Sequence, residues 1–416
     1  MKELNVLTLA HLHKIHAKYN RIFEDWCEGI RANSGKYHFM DYLELYSEAG
    51  KKIFEKKVER FIEEKEIDCV FIAFYSGDLT LDINFLERLS KKVFLVMGFF
   101  DTEHYFEAVD RYYAQAADLV LLPDYLSKFK YELLGINAMC TFSLFNKDYY
   151  RRLDDADKNI DVSFVGDITR GNRGEYIDYL RKNKVPVKCY GANTENGLID
   201  FDKMVEVFNR SKININFTGM IDGASLILGS QINNRIKQSK GRPIEAALCG
   251  GFVLTEYSPG VENMFEIGKE IDVFHTKEEL SKKIQYYLEN GQEREEIARR
   301  GYERALRDYD SHAGIAKIFD VIGKSRKIEP VIYLDDDFME NYTSYRFLYI
   351  TRFVIKVKIK SLFEELKIVI RNKRISLSKA KSYVLKEVLE KLTYYLIRYP
   401  NLRKILKAVF RIKIKS

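Results

Sequence analysis

Short runs of apolar residues alternate with longer amphipathic stretches along this chain, and that alternation predicts most of its elements. Asn5–Leu9, Cys69–Phe74, Val93–Val96 and Leu119–Leu122 are short runs rich in β-formers and predict strands. Between the first two, Ile53, Phe54, Val58, Phe61 and Ile62 recur at helical spacing among Lys and Glu, the pattern of a helix buried on one face. Apolar strands separated by such helices predict a parallel sheet covered on both sides.

Asn146–Asp157 is polar and charged, and is expected to link two domains. A second series follows it. Its predicted strands are Val162–Val165, Val187–Tyr190, Ile213–Phe217, Phe252–Thr255 and Asp272–Phe274. Helices are expected at Gly174–Asn183, Phe201–Arg210, Pro243–Cys249, Lys277–Asn290 and Arg294–Asp308. The expected class is α/β, with two Rossmann-like doubly wound domains at 1–150 and 158–325 and a cleft between the carboxyl ends of their sheets.

Residues 330–416 differ in pattern and predict a basic, mainly helical extension. The chain has no glycine after Gly323. Val384, Leu385, Val388, Leu389, Leu392, Tyr395 and Leu396 form one apolar helical stripe. From Phe353 to Lys360 apolar and basic residues alternate, so strand and helix compete there.

Charge sharpens this division. Residues 341–416 hold 20 Lys and Arg against four acids, a net +16; the whole chain of 416 residues carries +7, so the first 340 carry −9. An acidic body with a basic tail calls for an anionic partner at the tail. An anionic membrane surface is one such partner; packing of the tail on the body or on a second subunit is the other reading. No zinc-finger, helix-turn-helix or RNA-sheet signature accompanies the charge, so a nucleic-acid partner is not expected. Five widely spaced cysteines, an odd number without metal-ligand spacing, point to a reducing compartment. The start of the chain shows no cleavage signal, and no run reaches the roughly 20 apolar residues that span a bilayer. The expected location is the cytoplasm, with the inner face of the membrane as a docking place.

Candidate chemistry concentrates in Ser239-Lys240-Gly241-Arg242-Pro243-Ile244-Glu245, which leads through Gly250-Gly251 into the run Phe252–Thr255. Pro243 suits the first turn of a helix, where its missing N–H costs nothing. Lys240 and Arg242 then stand beside a helix N-terminus, a place that attracts phosphate. Glu245 lies just inside it, where a carboxylate can accept from sugar hydroxyls. A departing pyrophosphate needs fixed positive charge near its oxygens. An ordinary helix cap with a surface salt bridge fits the same residues.

This segment resembles the nucleotide-sugar half of the GT-B glycosyltransferases, in particular the branch similar to the spore-maturation protein CgeB. The likeness continues through Pro259-Gly260-Val261-Glu262-Asn263, Gly268-Lys269-Glu270, Tyr286-Tyr287-Leu288 and Gly301-Tyr302. The resemblance covers 160–322. It implies a GT-B fold and transfer from a nucleoside diphosphate sugar, acting as co-substrate, to a glycan or lipid-linked hydroxyl, in cell-surface glycan synthesis. It implies that Glu245 holds the donor ribose, that Lys240 and Arg242 neutralise the diphosphate, and that Glu262 lies near the donor sugar. No cofactor or metal is expected. Many retaining members carry a second glutamate that here would fall at 237, where the chain has Lys237. The stereochemical outcome is therefore open.

Gly166 follows the run Val162–Val165, and Arg170 and Arg173 stand at the start of the next helix. Glycine permits close backbone approach and the arginines reach phosphates; a solvated loop is the alternative. Gly191 ends the next strand, where related proteins meet the nucleotide base. In the first half, Asp101 follows a buried strand and is the candidate general base, or a helix N-cap. His11, His13 and His16 follow the first strand, where acceptor-binding loops lie in this fold. A catalytically silent scaffold and a membrane-docked structural protein are the rival functions.

Overall fold

The two predicted strand series form two separate sheets in which every pairing is parallel. The computed structural model describes residues 3–12, 21–74, 77–154, 156–219, 237–325 and 327–398, with side chains to 388. The first sheet contains β1 (Asn5–Ala10), β2 (Lys36–Asp41), β3 (Cys69–Phe74), β4 (Phe94–Phe99), β5 (Leu119–Leu122) and β6 (Ala138–Cys140), in the order β2-β1-β3-β4-β5-β6. The second contains β7 (Ile160–Val165), β8 (Val187–Tyr190), β9 (Ser211–Asn216), β10 (Val253–Glu256) and β11 (Asp272–Phe274), in the order β11-β10-β9-β7-β8. Each sheet reverses its winding at its first strand, and such a reversal opens a crevice at the carboxyl ends of the strands.

Alternate residues of β3 serve two cores. Val70, Ile72 and Phe74 join one hydrophobic cluster, Cys69 and Phe71 the other, as the two-residue period of a strand requires. The second cluster is closed by helix Ile22–Asn33 and by helix Ser311–Lys324, although the latter follows the second sheet in sequence. Gly29 makes that crossing close, because a Cβ there would lie 2.8 Å from the Ser311 carbonyl oxygen.

β2 and β6 have no counterpart in the expected strands. Both are edge strands and only partly buried, so neither needs the apolar run that marks a central strand.

The C-terminal extension is helical at Asp336–Ile355, Ile359–Asn372 and Leu377–Arg398. Helix wins over strand in Phe353–Lys360: the first helix ends at Ile355, Val357 takes a left-handed conformation (φ 53°), and the second helix starts at Ile359. Phe338, Tyr342, Tyr349, Phe353 and Tyr383 enter the first domain's core. The apolar stripe expected in the last helix does not face that core: Ala380 and Tyr383 are buried, while Leu385 and Val388 are exposed. The core selects by contact with the first helix, which a stripe drawn from one helix cannot anticipate. The stripe's later residues lie beyond the described side chains.

Arg346 anchors the extension. It is fully buried, 3.7 Å from the equally buried Glu365. It donates to Tyr46 Oη (3.0 Å), to the Thr80 carbonyl (3.2 Å) and to the Leu79 carbonyl. Tyr46 donates to Glu365 at 2.7 Å. The extension is thereby bolted to the segment that follows β3 at the carboxyl edge of the first sheet.

Candidate active site

The loops at the carboxyl edge of the second sheet are tied together by backbone. Gly191 follows β8 with φ 125°, and a Cβ on it would lie 2.4 Å from the carbonyl oxygen of Gly166, which follows β7. Only glycine allows this contact. Asp167 accepts from Thr169 N (2.9 Å), Thr169 Oγ1 (2.7 Å) and Asn193 Nδ2 (3.1 Å), joining the two loops again. Arg173 donates to the Asp167 carbonyl at 3.2 Å, and Arg170 lies 3.6 Å from its carboxylate.

Helix Arg242–Leu248 begins beside them. Pro243 occupies its first turn and Gly250-Gly251 follow its end, as the sequence predicts. Arg242 pairs with Glu245, and its guanidinium lies 5.7 Å from the Phe208 ring centroid. Burial raises the Glu245 pKa, and Arg242 opposes the rise. Lys237 meets the buried Glu256 at 3.1 Å, so position 237, where the resemblance would place a second glutamate, holds a cation paired to an acid of β10.

Arg170, Arg173, Lys240 and Arg242 form one positive field. Burial lowers the Arg173 pKa to about 10; Arg170 and Arg242 push the same way, against Asp167 and Glu256. Burial also lowers Lys240, reinforced by Arg173 and Arg170 and opposed by Asp101 and Glu103 of the first domain. Cations that repel one another in this way, partly shielded from water, make a site that an anion would relieve.

Across the cleft, Asp101 follows β4 in a left-handed conformation (φ 56°), tolerable for aspartate. Its neighbour Phe100 packs edge-on against Phe23 and Trp26, which fixes the backbone. Asp101 makes no side-chain cap bond to the short helix it precedes. Gln238 of the second domain donates instead to Asp101 Oδ1 (3.1 Å) and Glu103 Oε2 (3.2 Å), and accepts from Lys240. Burial, then Asp124 and Asp101, raise Glu103 to about 8, against Lys240. Burial lowers His104 to about 4.

His11 Nδ1 lies 2.8 Å from Asp41 Oδ2, between the carboxyl ends of β1 and β2. Residues His13 and His16 lie outside the described residues. Glu262 is exposed on helix Val261–Met264, where its carboxylate accepts from Gly260 N at 3.1 Å and neighbours Tyr257.

The chain has the GT-B fold. Residues 172–320, which carry the cation cluster except Arg170, match the model of a family described as glycosyl transferase-like. No curated protein matches the chain. Among solved structures, Anabaena Alr3699/HepE in complex with UDP and glucose aligns with a TM-score of 0.54 at 14% identity, over 77% of this chain and 100% of that one. Sucrose-phosphate synthase from Thermosynechococcus elongatus aligns at 0.54 and 10% identity, over 77% and 98%. A glycosyltransferase from Rickettsia africae aligns at 0.54 and 10% identity, over 78% and 99%.

The GT-B arrangement thus gathers Gly166, Arg170, Arg173, Gly191, Lys240, Arg242 and Glu245 on the second domain, with Asp101 opposite. Glu262 is tied to its own turn. Sequence reasoning missed Gln238, which reaches across the cleft, and Asp41, which pairs with His11. Nothing in the spacing of Lys237-Gln238-Ser239-Lys240 marks the glutamine; its role rests on a contact with residue 101.

Proposed function

We propose that the chain is a glycosyltransferase that moves a sugar from a nucleoside diphosphate sugar to a hydroxyl acceptor. The observation that carries the reading is the opposition of four clustered cations on the second domain to Asp101 and Glu103 on the first, with Gln238 between them. The glycosyl transferase-like match over 172–320 supports it. HepE, similar in fold, is described in complex with UDP-glucose, which is the same donor class.

In this reading Asp101 takes the proton of the acceptor hydroxyl. The acceptor oxygen bonds to the anomeric carbon as the bond from that carbon to the diphosphate oxygen breaks, and the nucleoside diphosphate leaves with the electron pair. Arg170, Arg173, Lys240 and Arg242 stabilise the charge it gains. Four cations are offered to that charge, so the proposal calls on no metal. Gly166 and Gly191 let the donor approach the backbone, Glu245 receives the ribose, and Glu262 lies towards the sugar. His11, held by Asp41, lines the acceptor side. On the resemblance of the Lys240–Tyr302 motifs, the branch proposed is the CgeB-like one, and the acceptor proposed is a glycan or lipid-linked hydroxyl of the cell surface.

Thermal stabilisation by UDP-, GDP-, ADP- and dTDP-sugars tests the donor site, since a ligand of the folded state raises the melting temperature. One of them is expected to stabilise the wild type and to lose that effect in Arg242→Ala and Glu245→Ala. If none does at about millimolar concentration, the donor assignment fails.

A further inference from the structure

The second helix of the extension, Ile359–Asn372, sorts its charges by face. Its two acids point at the first domain: Glu365 to Tyr46, and Glu364 to the backbone N–H of Lys52. Ser361 packs so close to Gly50 that a Cβ there would lie 2.4 Å from its Oγ. The opposite face carries no acid. It presents Ile359, Phe363 and Ile370, exposed by 61%, 57% and 69%. Lys360, Lys367 and Arg371 share that face, are exposed, and make no ion pair among the described residues. At the elbow before this helix, Ile355 and Val357 are exposed by 75% and 77%. Val357 is left-handed there, a conformation costly for a β-branched residue, and its side chain stands in water.

A merely solvated face needs no isoleucine or phenylalanine; a duplex backbone calls for the cations alone, and stacking on bases calls for rings, not for the aliphatic Ile355, Val357, Ile359 and Ile370. A second copy of this face would set its cations against their equivalents. Cations interleaved with apolar side chains fit an anionic lipid surface, where the apolar groups enter the headgroup–acyl boundary and the cations meet lipid phosphates. No helix of the described residues is long and apolar enough to cross a membrane, so contact would be from one side. We infer that the elbow at 355–359 and the outer face of helix Ile359–Asn372 dock the first domain on an anionic bilayer. This goes beyond the glycosyltransferase reading and does not depend on it.

Co-sedimentation of the full chain with vesicles tests the inference. Vesicles of phosphatidylcholine with about 30% phosphatidylserine should bind at least about tenfold more protein than phosphatidylcholine alone, and salt should weaken the binding. Lys360→Glu/Lys367→Glu/Arg371→Glu should lose about tenfold in binding, and Ile359→Gln/Phe363→Gln a comparable factor, both melting with the wild type. The inference is overturned if the anionic vesicles bind no better than the neutral ones, or if either variant binds like the wild type. It is equally overturned if the apolar double variant abolishes a dimer and leaves vesicle binding intact. Nucleotide-sugar stabilisation is a separate measurement, so failure of either reading leaves the other standing.

Discussion

Gln238 Nε2 lies 3.1 Å from Asp101 Oδ1, a hydrogen bond from the second domain to the first across the cleft. The same amide reaches Glu103 at 3.2 Å, and its carbonyl receives Lys240. One side chain thus ties the candidate base to Lys240, one of the cations proposed to meet the leaving group. Asp101→Asn keeps the shape and tolerates the left-handed backbone but cannot take a proton. We expect its kcat to fall by about 10² to 10⁴, with nucleotide-sugar stabilisation unchanged. Steady-state kinetics beside thermal shift separates this from damage to the fold, which would lower both. An unchanged kcat would remove Asp101 from the base role.

Arg346→Met should destabilise the chain by about 3–5 kcal/mol, because it leaves the buried Glu365 without its cation. Burial favours the neutral form of Glu365 and Arg346 opposes this. Arg346→Met/Glu365→Leu should therefore recover part of the loss, the remainder reflecting the unpaired Leu79 and Thr80 carbonyls. Chemical denaturation of the two variants checks the order. A single variant as stable as the wild type would mean that the extension is not anchored through this pair.

Acidic groups held protonated by burial give the stability a falling slope with pH. Asp110 is raised from 3.8 to about 8, first by burial, with Asp101 and Glu103 acting in the same direction and a bond from Thr102 opposing. Asp25, at the base of helix Ile22–Asn33, is raised to about 7, again first by burial. A raised acid binds a proton in the folded state where the unfolded chain has released it. Its contribution is complete below the unfolded value of 3.8 and is lost as pH rises through 7 to 8. Melting temperature should therefore fall across that window, and Asp110→Asn, which cannot ionise, should show a shallower fall. A variant that tracks the wild-type curve would show that Asp110 does not titrate there.

Much of the candidate site's placement in the fold was legible because its signals are local. Pro243 and Gly250-Gly251 announce the two ends of a helix wherever they occur, and Lys240, Arg242 and Glu245 are carried to its start by that punctuation alone. Gly166 and Gly191 could be placed at strand ends by the apolar runs before them. Asp41 and Gln238 could not be found this way. Asp41 ends an edge strand whose partly buried residues, Lys36–Asp41, make no apolar run, and Gln238 acquires its meaning from residues more than 130 positions away.

The sequence by itself determined the inner strands of both sheets, their alternation with helices in two series, and the separation of an acidic body from a basic tail, because periodicity and charge are properties of neighbouring residues. Only the tertiary structure decided what each buried face lies against. It returned helix Ser311–Lys324 to the first sheet, bolted Arg346 to the segment after β3, and left Ile359, Phe363 and Ile370 facing outward beside unpaired cations. Apolar patterning states that a face is to be buried; the hydrophobic effect is non-directional, so the choice of partner rests on the packing and hydrogen bonding of residues distant in the chain.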